Sequence, residues 1–156
     1  MLDRAVEDLK AGVIDVLATA PINKENVQAD NFKFKGHTEY LAEKLGGDAL
    51  MMMCSELMKV GLVTIHMPLA EVSASVTKEK IVDSLSRLRQ SLIVDFGIVE
   101  PRIAVLSLKP HSGDGGLLGK EEEEIIKPAI AEAYGKGVYA FGPFAADGFF
   151  AASGYN

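Results

Sequence analysis

Strongly apolar runs alternate along the whole chain with segments whose apolar residues recur at helical spacing. The runs are VIDVLATA (13–20), ALMMMC (49–54), VGLVTI (60–65), RIAVLSL (102–108) and VYAFG (138–142). Between them, Leu2, Ala5, Val6 and Leu9 share one helix face, and Ile81, Leu85, Leu88 and Leu92 form a stripe within 77–95. Shorter helices are predicted over 38–45, closed by Gly46-Gly47, and over 121–134, where Pro128 must kink or shorten the helix. Gly12 is placed to cap the first helix, and Thr77 to start the long one, although Lys80 stands where a capping box needs Glu. Pro21 ends the first run. Runs that stay apolar, rather than alternating with polar residues, suit strands covered on both faces. The pattern therefore predicts an α/β protein with a mostly parallel sheet and helices on both sides.

Composition narrows the functions such a chain can have. Its 156 residues fit one domain, and 48% hydrophobic with 24% charged residues excludes a disordered or low-complexity chain. Twenty-two acidic residues against 16 basic ones leave a net charge of −6, which argues against a general nucleic-acid binder. No apolar run reaches the roughly 20 residues needed to cross a bilayer, and the charged N-terminal segment has no signal-peptide core. The single cysteine, Cys54, cannot form an internal disulfide, which fits a reducing compartment. It is expected to be a packed thiol, with Met51, Met52 and Met53 in the core. The expected location is the cytoplasm, with neither nucleic acid nor membrane as a partner.

Chemistry is to be sought where strands end. His66 follows VGLVTI, and His111 follows RIAVLSL after Lys109-Pro110. In a parallel sheet, ligands bind outside the strand carboxyl ends, so the two imidazoles could share a crevice and a metal. The alternative is that each is a hydrogen-bonded surface residue. His37 and Thr38 open a predicted helix, where free N–H groups can meet a polar ligand. The loop HSGDGGLLGK (111–120) has glycines at 113, 115, 116 and 119, which match neither G-x-G-x-x-G nor a GK[ST] motif. Glu121 to Glu124 follow and would repel a phosphate. The loop reads either as a tight turn needing positive φ or as backbone passing close to a ligand held by His111. Lys24, in TAPINK, could bind an anion or be merely solvated. Asp147, in AADG, is either a cleft residue or a turn residue beside Gly148.

TAPINK, GHTEYLA, VGLVTIHMPL, FGIVEPRIAVLSLKPHSGDGG, GKEEEEIIKPAI and GPFAADGFF resemble, in order and spacing, consecutive motifs of the 4-hydroxythreonine-4-phosphate dehydrogenases. The resemblance implies an isocitrate/isopropylmalate-dehydrogenase-like fold and a homodimer. It implies NAD or NADP as oxidant and a divalent metal such as Zn, Mg or Co. The implied reaction oxidises and decarboxylates a phosphorylated hydroxy amino acid, 4-phosphooxy-L-threonine, giving 3-amino-2-oxopropyl phosphate on the way to pyridoxal phosphate. His66 and His111 match metal-binding histidines of the family, and His37 and Thr38 match substrate contacts.

The family's third metal histidine belongs to a motif beyond the last residue here. The resemblance therefore implies a partial chain over 1–156. Residues from about 15 to 135 would be the central dimer-forming α/β domain, and residues 136–156 the start of the return to an outer domain. Such a fragment is expected to be inactive alone, with Phe141, Phe144, Phe149 and Phe150 exposed. Two other readings stay open: a non-catalytic binding module, and an oxidative decarboxylase of a related phosphorylated hydroxy acid.

Overall fold

The computed structural model describes residues 2–20 and 36–151. These fall into two compact units, one within Met1–Ala49 and one within Leu50–Asn156. None of the described helices is long and apolar enough to cross a membrane.

The first unit contains helices α1 (Leu2–Lys10) and α2 (His37–Leu45). Val6 and Tyr40 are its buried apolar residues, each 4% exposed. The Tyr40 hydroxyl donates to the Asp3 carboxylate. That bond, helped by burial, pushes the phenol from 10.0 up to about 12. Both helices close in the same way. Val13 N–H reaches Asp8 O at 2.9 Å and Gly47 N–H reaches Ala42 O at 3.0 Å, with Gly12 and Gly46 left-handed between them.

The strand expected over 13–20 is not there. These residues are irregular, and Val13 and Val16 are 70% and 81% exposed. Apolar, β-branched composition favours a strand only when a neighbouring strand completes its ladder, and no described strand pairs with this segment.

The second unit begins with a hairpin. Strands β1 (Met51–Cys54) and β2 (Lys59–Leu62) pair antiparallel, with Met51 opposite Leu62 and Cys54 opposite Lys59. The turn is tied by Ser55 N–H to Met58 O at 2.8 Å and by Met58 N–H to Ser55 Oγ at 3.1 Å. Burial along β1 does not alternate: its first two residues are half-buried and its last two exposed. Met52 packs against the core while Met53 is 62% exposed. Cys54 is also exposed, which corrects the expectation of a packed thiol.

Next come α3 (Leu69–Ser75), which follows Pro68, and the long helix α4 (Lys78–Val94). Thr77 caps α4 as expected, its hydroxyl accepting Lys80 N–H at 3.3 Å. Ile81, Val82, Leu85, Leu88 and Leu92 bury one face. Strand β3 (Arg102–Leu106) runs parallel to β4 (Tyr139–Phe144), with Ile103 opposite Ala140. A 3₁₀ turn (Pro110–Gly116), a π-helical turn (Glu122–Ile126) and helix α5 (Lys127–Gly135) make the crossover between them. Ala129 and Ala133, both fully buried, belong with the α4 stripe to a single core cluster, which also takes in Ile103, Val138 and Ala140. Helix α6 (Ala146–Ala151) follows β4.

Pro128 does not break the helix it interrupts. It lies in the first turn of α5, where its missing N–H is not needed, and the wider π turn immediately precedes it.

Candidate functional site

Among the described residues, three that are not glycine have positive φ: His66 at 48°, His111 at 51° and Ser112 at 54°. Left-handed backbone is uncommon for a residue bearing a Cβ, and such strain gathers at functional sites. Two of the three are the histidines singled out from the sequence. His66 lies shortly beyond β2, and its side chain belongs to an exposed residue. His111 lies in the 3₁₀ turn beyond β3, with its side chain 65% exposed. The two strands belong to separate two-stranded sheets, one antiparallel and one parallel, rather than to adjacent positions of a single parallel sheet.

Asp147, near the start of α6, brings Oδ2 to 3.4 Å from His111 Nδ1. The pair is an exposed charge contact, and it leaves the other ring nitrogen, Nε2, to face a ligand. Imidazole nitrogen is a good donor for zinc-like divalent ions. The donor chemistry of His111 with Asp147 therefore fits a metal. No group of three or more His, Cys, Asp or Glu residues converges as a complete metal site among the described residues. His37 and Thr38, both half-buried, open α2 in the first unit. Lys24 lies outside the described residues.

The glycine-rich loop is packed against carboxylates. A Cβ on Gly113 would stand 3.0 Å from Glu122 Oε2, and one on Gly119 would stand 2.5 Å from Lys109 Nζ and 2.6 Å from Glu121 Oε2. Both glycines have positive φ, at 79° and 121°. Close approach and turn geometry thus account for them. Two carboxylates lie where a phosphate cradle would need N–H groups facing an anion.

The residues they face form a network that the sequence did not reveal. Glu122 is 1% exposed and is the buried charged side chain among the described residues. Its Oε1 accepts Lys109 N–H at 2.9 Å and its Oε2 accepts Lys109 Nζ at 3.0 Å. Lys109 Nζ also donates to Glu121, whose Oε1 accepts the Ser73 hydroxyl at 2.6 Å. Ser107 Oγ donates to Lys109 O at 2.8 Å. Hydrogen bonds from Lys109 and then Ser73 lower the Glu121 carboxyl from 4.5 to about 2. Burial raises the Glu122 carboxyl, but its bonds to Lys109 and to backbone N–H groups outweigh this and lower it overall. Lys109 is raised, chiefly by Glu121, against the opposing effect of burial. One sequence signal does point to Glu122. It is in helical phase with Ile126, Ala129 and Ala133, so it falls on the buried stripe rather than the solvated face.

The family described as "Pyridoxal phosphate biosynthetic protein PdxA" matches residues 1–156. A 4-hydroxythreonine-4-phosphate dehydrogenase from Bacteroides thetaiotaomicron is 51% identical over 99% of this chain and 43% of its own length. The crystal structure of the enzyme of that name from Klebsiella pneumoniae superposes with a TM-score of 0.86 at 34% identity, over 95% of this chain and 45% of that one. A terephthalate 1,2-cis-dihydrodiol dehydrogenase from Burkholderia xenovorans shares the fold, with a TM-score of 0.76 at 21% identity. The chain spans a little under half the length of these relatives. Its α/β architecture is the isocitrate/isopropylmalate-dehydrogenase-like fold that the sequence implied. On a match across its whole length, the chain belongs to the PdxA family of pyridoxal phosphate biosynthetic proteins.

Proposed function

We propose that this chain supplies part of the active site of a metal-dependent, NAD- or NADP-dependent dehydrogenase in pyridoxal phosphate biosynthesis. The substrate is 4-phosphooxy-L-threonine, and oxidation with loss of CO2 gives 3-amino-2-oxopropyl phosphate. One observation carries the reading: left-handed backbone at His66 and His111, two histidines at the positions the family motifs assign to metal. Relatives bearing the dehydrogenase name support it.

In this reading His66 and His111 hold the divalent ion. The ion, once bound, supplies Lewis-acid polarisation of a substrate hydroxyl. Asp147 orients the His111 ring through Nδ1. His37 and Thr38, at the N-terminal edge of α2, offer a ring N–H, a hydroxyl and backbone N–H groups to a phosphoryl oxygen. The active assembly is a homodimer located in the cytoplasm.

The test is nicotinamide reduction with 4-phosphooxy-L-threonine and added Zn²⁺, Mg²⁺ or Co²⁺. The 156-residue chain is compared with the same chain extended to the length of its relatives. Turnover is expected from the extended protein, with the short chain showing little or none. His111→Ala in the extended protein should abolish turnover and lower metal content. Full activity of that variant overturns the assignment. A second reading is a binding module without catalysis. It predicts metal or substrate binding by the chain and no turnover at either length.

A further inference from the structure

Ser73, Glu121, Lys109 and Glu122 form a continuous polar connection between two segments of the second unit. At one end Ser73 belongs to α3, which starts at Leu69 directly after His66-Met67-Pro68. Pro68 sits at φ −58°, and its carbonyl accepts Glu71 N–H at 2.9 Å, so the entry to α3 is fixed close behind His66. At the other end Lys109 stands just before Pro110 and His111, held by Glu122 at both its backbone N–H and its ammonium. Ser73 Oγ to Glu121 Oε1, at 2.6 Å, is the hydrogen bond that joins the two ends, beside the packing of Val72 on the core. Glu122 is buried, so the Lys109 end is anchored in the core rather than solvated. The glycines at 113 and 119 leave the space in which Lys109, Glu121 and Glu122 meet. None of these side chains is among the proposed metal or substrate contacts.

We propose that the Ser73–Glu121–Lys109–Glu122 network is a positioning device that sets the placement of the His66 segment relative to the His111 segment. Its residues act through the two histidines and touch neither metal nor substrate. The role assigned to that placement, holding two imidazoles for one ion, rests on the metal reading above. A link through a single hydroxyl hydrogen bond makes the coupling testable without emptying the core. Ser73→Ala removes the polar link between the two ends and leaves the Lys109–Glu122 pair, and the packing of Val72 on the core, intact.

The experiment uses the 156-residue chain and the imidazole ¹H–¹⁵N signals of its histidines, without metal and then with Co²⁺. Without metal, Ser73→Ala is expected to move the ring signals of both His66 and His111, with the thermal midpoint nearly unchanged. Ser73→Thr, which keeps the hydroxyl, should restore them. Glu121→Gln tests the link from its other side and should move the same two rings. If only one ring moves, or neither, or if Ser73→Thr fails to restore them, the positioning role is overturned. In the second arm, Co²⁺ is expected to perturb both rings of the unaltered chain. Ser73→Ala should weaken that binding by about tenfold, the lower end of what outer-shell changes cost metal sites. If Co²⁺ leaves both rings of the unaltered chain untouched, the metal reading fails, and the metal-free signals still decide the positioning role.

Discussion

Glu132 receives Lys136 Nζ at 2.8 Å and Lys78 Nζ at 2.9 Å, and these two ammonium groups lower its carboxyl from 4.5 to about 2. Glu121 is lowered to the same value by Lys109 and Ser73. Both groups stay ionised in the folded chain below the pH at which the unfolded chain takes up the proton. Their contribution to stability is therefore complete above about 4.5 and is lost as the pH falls toward 2. A urea midpoint measured across that window should drop steadily, and Glu132→Gln should make the drop shallower. Tyr40 works at the other extreme. Its phenol is raised from 10.0 to about 12 by Asp3 and by burial, so its contribution is intact below 10 and fades as the pH rises to 12. Tyr40→Phe should remove that alkaline loss, as read by circular dichroism. Glu122 shows what single residues concealed. Within four consecutive glutamates its composition says solvated surface, and only its helical phase says core.

At the scale of elements, α4 was readable because its evidence is local. A capping threonine, apolar residues at 81, 85, 88 and 92 and a length of 17 residues all agree, and the buried face coincides with the predicted stripe. Thr77→Ala should cost about 1 kcal/mol through the lost cap. Leu85→Ala, in the middle of that stripe, should cost about 2–5 kcal/mol through lost burial and the cavity left behind. Equilibrium urea unfolding checks both, and values under half a kcal/mol at Leu85 would contradict its place in the core. Strands were less readable because a strand exists only with its partner. Residues 102–106 and 139–144 find each other and pair in parallel, whereas 13–20, also rich in apolar residues, is irregular and leaves Val13 and Val16 exposed. The sequence shows the hairpin of β1 and β2 only as two apolar runs, because four-residue strands are too short for a one-sided burial pattern to stand out.

At the scale of the molecule, the surface near β4 and α6 is aromatic. Phe144 and Phe150 are 40% and 45% exposed, and the half-buried Phe149 contacts both, 5.6 Å and 5.5 Å from them by ring centroid, while Phe141, 36% exposed, lies against Tyr134 and Arg102. Contiguous apolar surface of this kind drives association. Light scattering should therefore show a mass that rises with concentration, and Phe150→Ser should reduce it. A constant monomer mass for the unaltered chain would contradict this. The exposure of Phe141, Phe144 and Phe150 is legible in the sequence as aromatics crowded into a short stretch, whereas Phe149, expected to be exposed with them, is half-buried between its neighbours. The Asp147 contact to His111 is not legible, because the two lie on elements joined only through the β3–β4 crossover.

The backbone at His66 and His111 also bears on how variants of this protein would be selected. Histidine and asparagine both visit left-handed backbone more readily than most residues with a side chain, so His66→Asn and His111→Asn should each change stability by less than about 1 kcal/mol. The same exchanges remove the imidazoles on which the proposed chemistry depends. A search for heat-resistant variants guided by folding alone would thus hardly distinguish histidine from asparagine at either position and could lose the proposed ligands unnoticed. Only selection for the proposed chemistry would hold the two histidines in place.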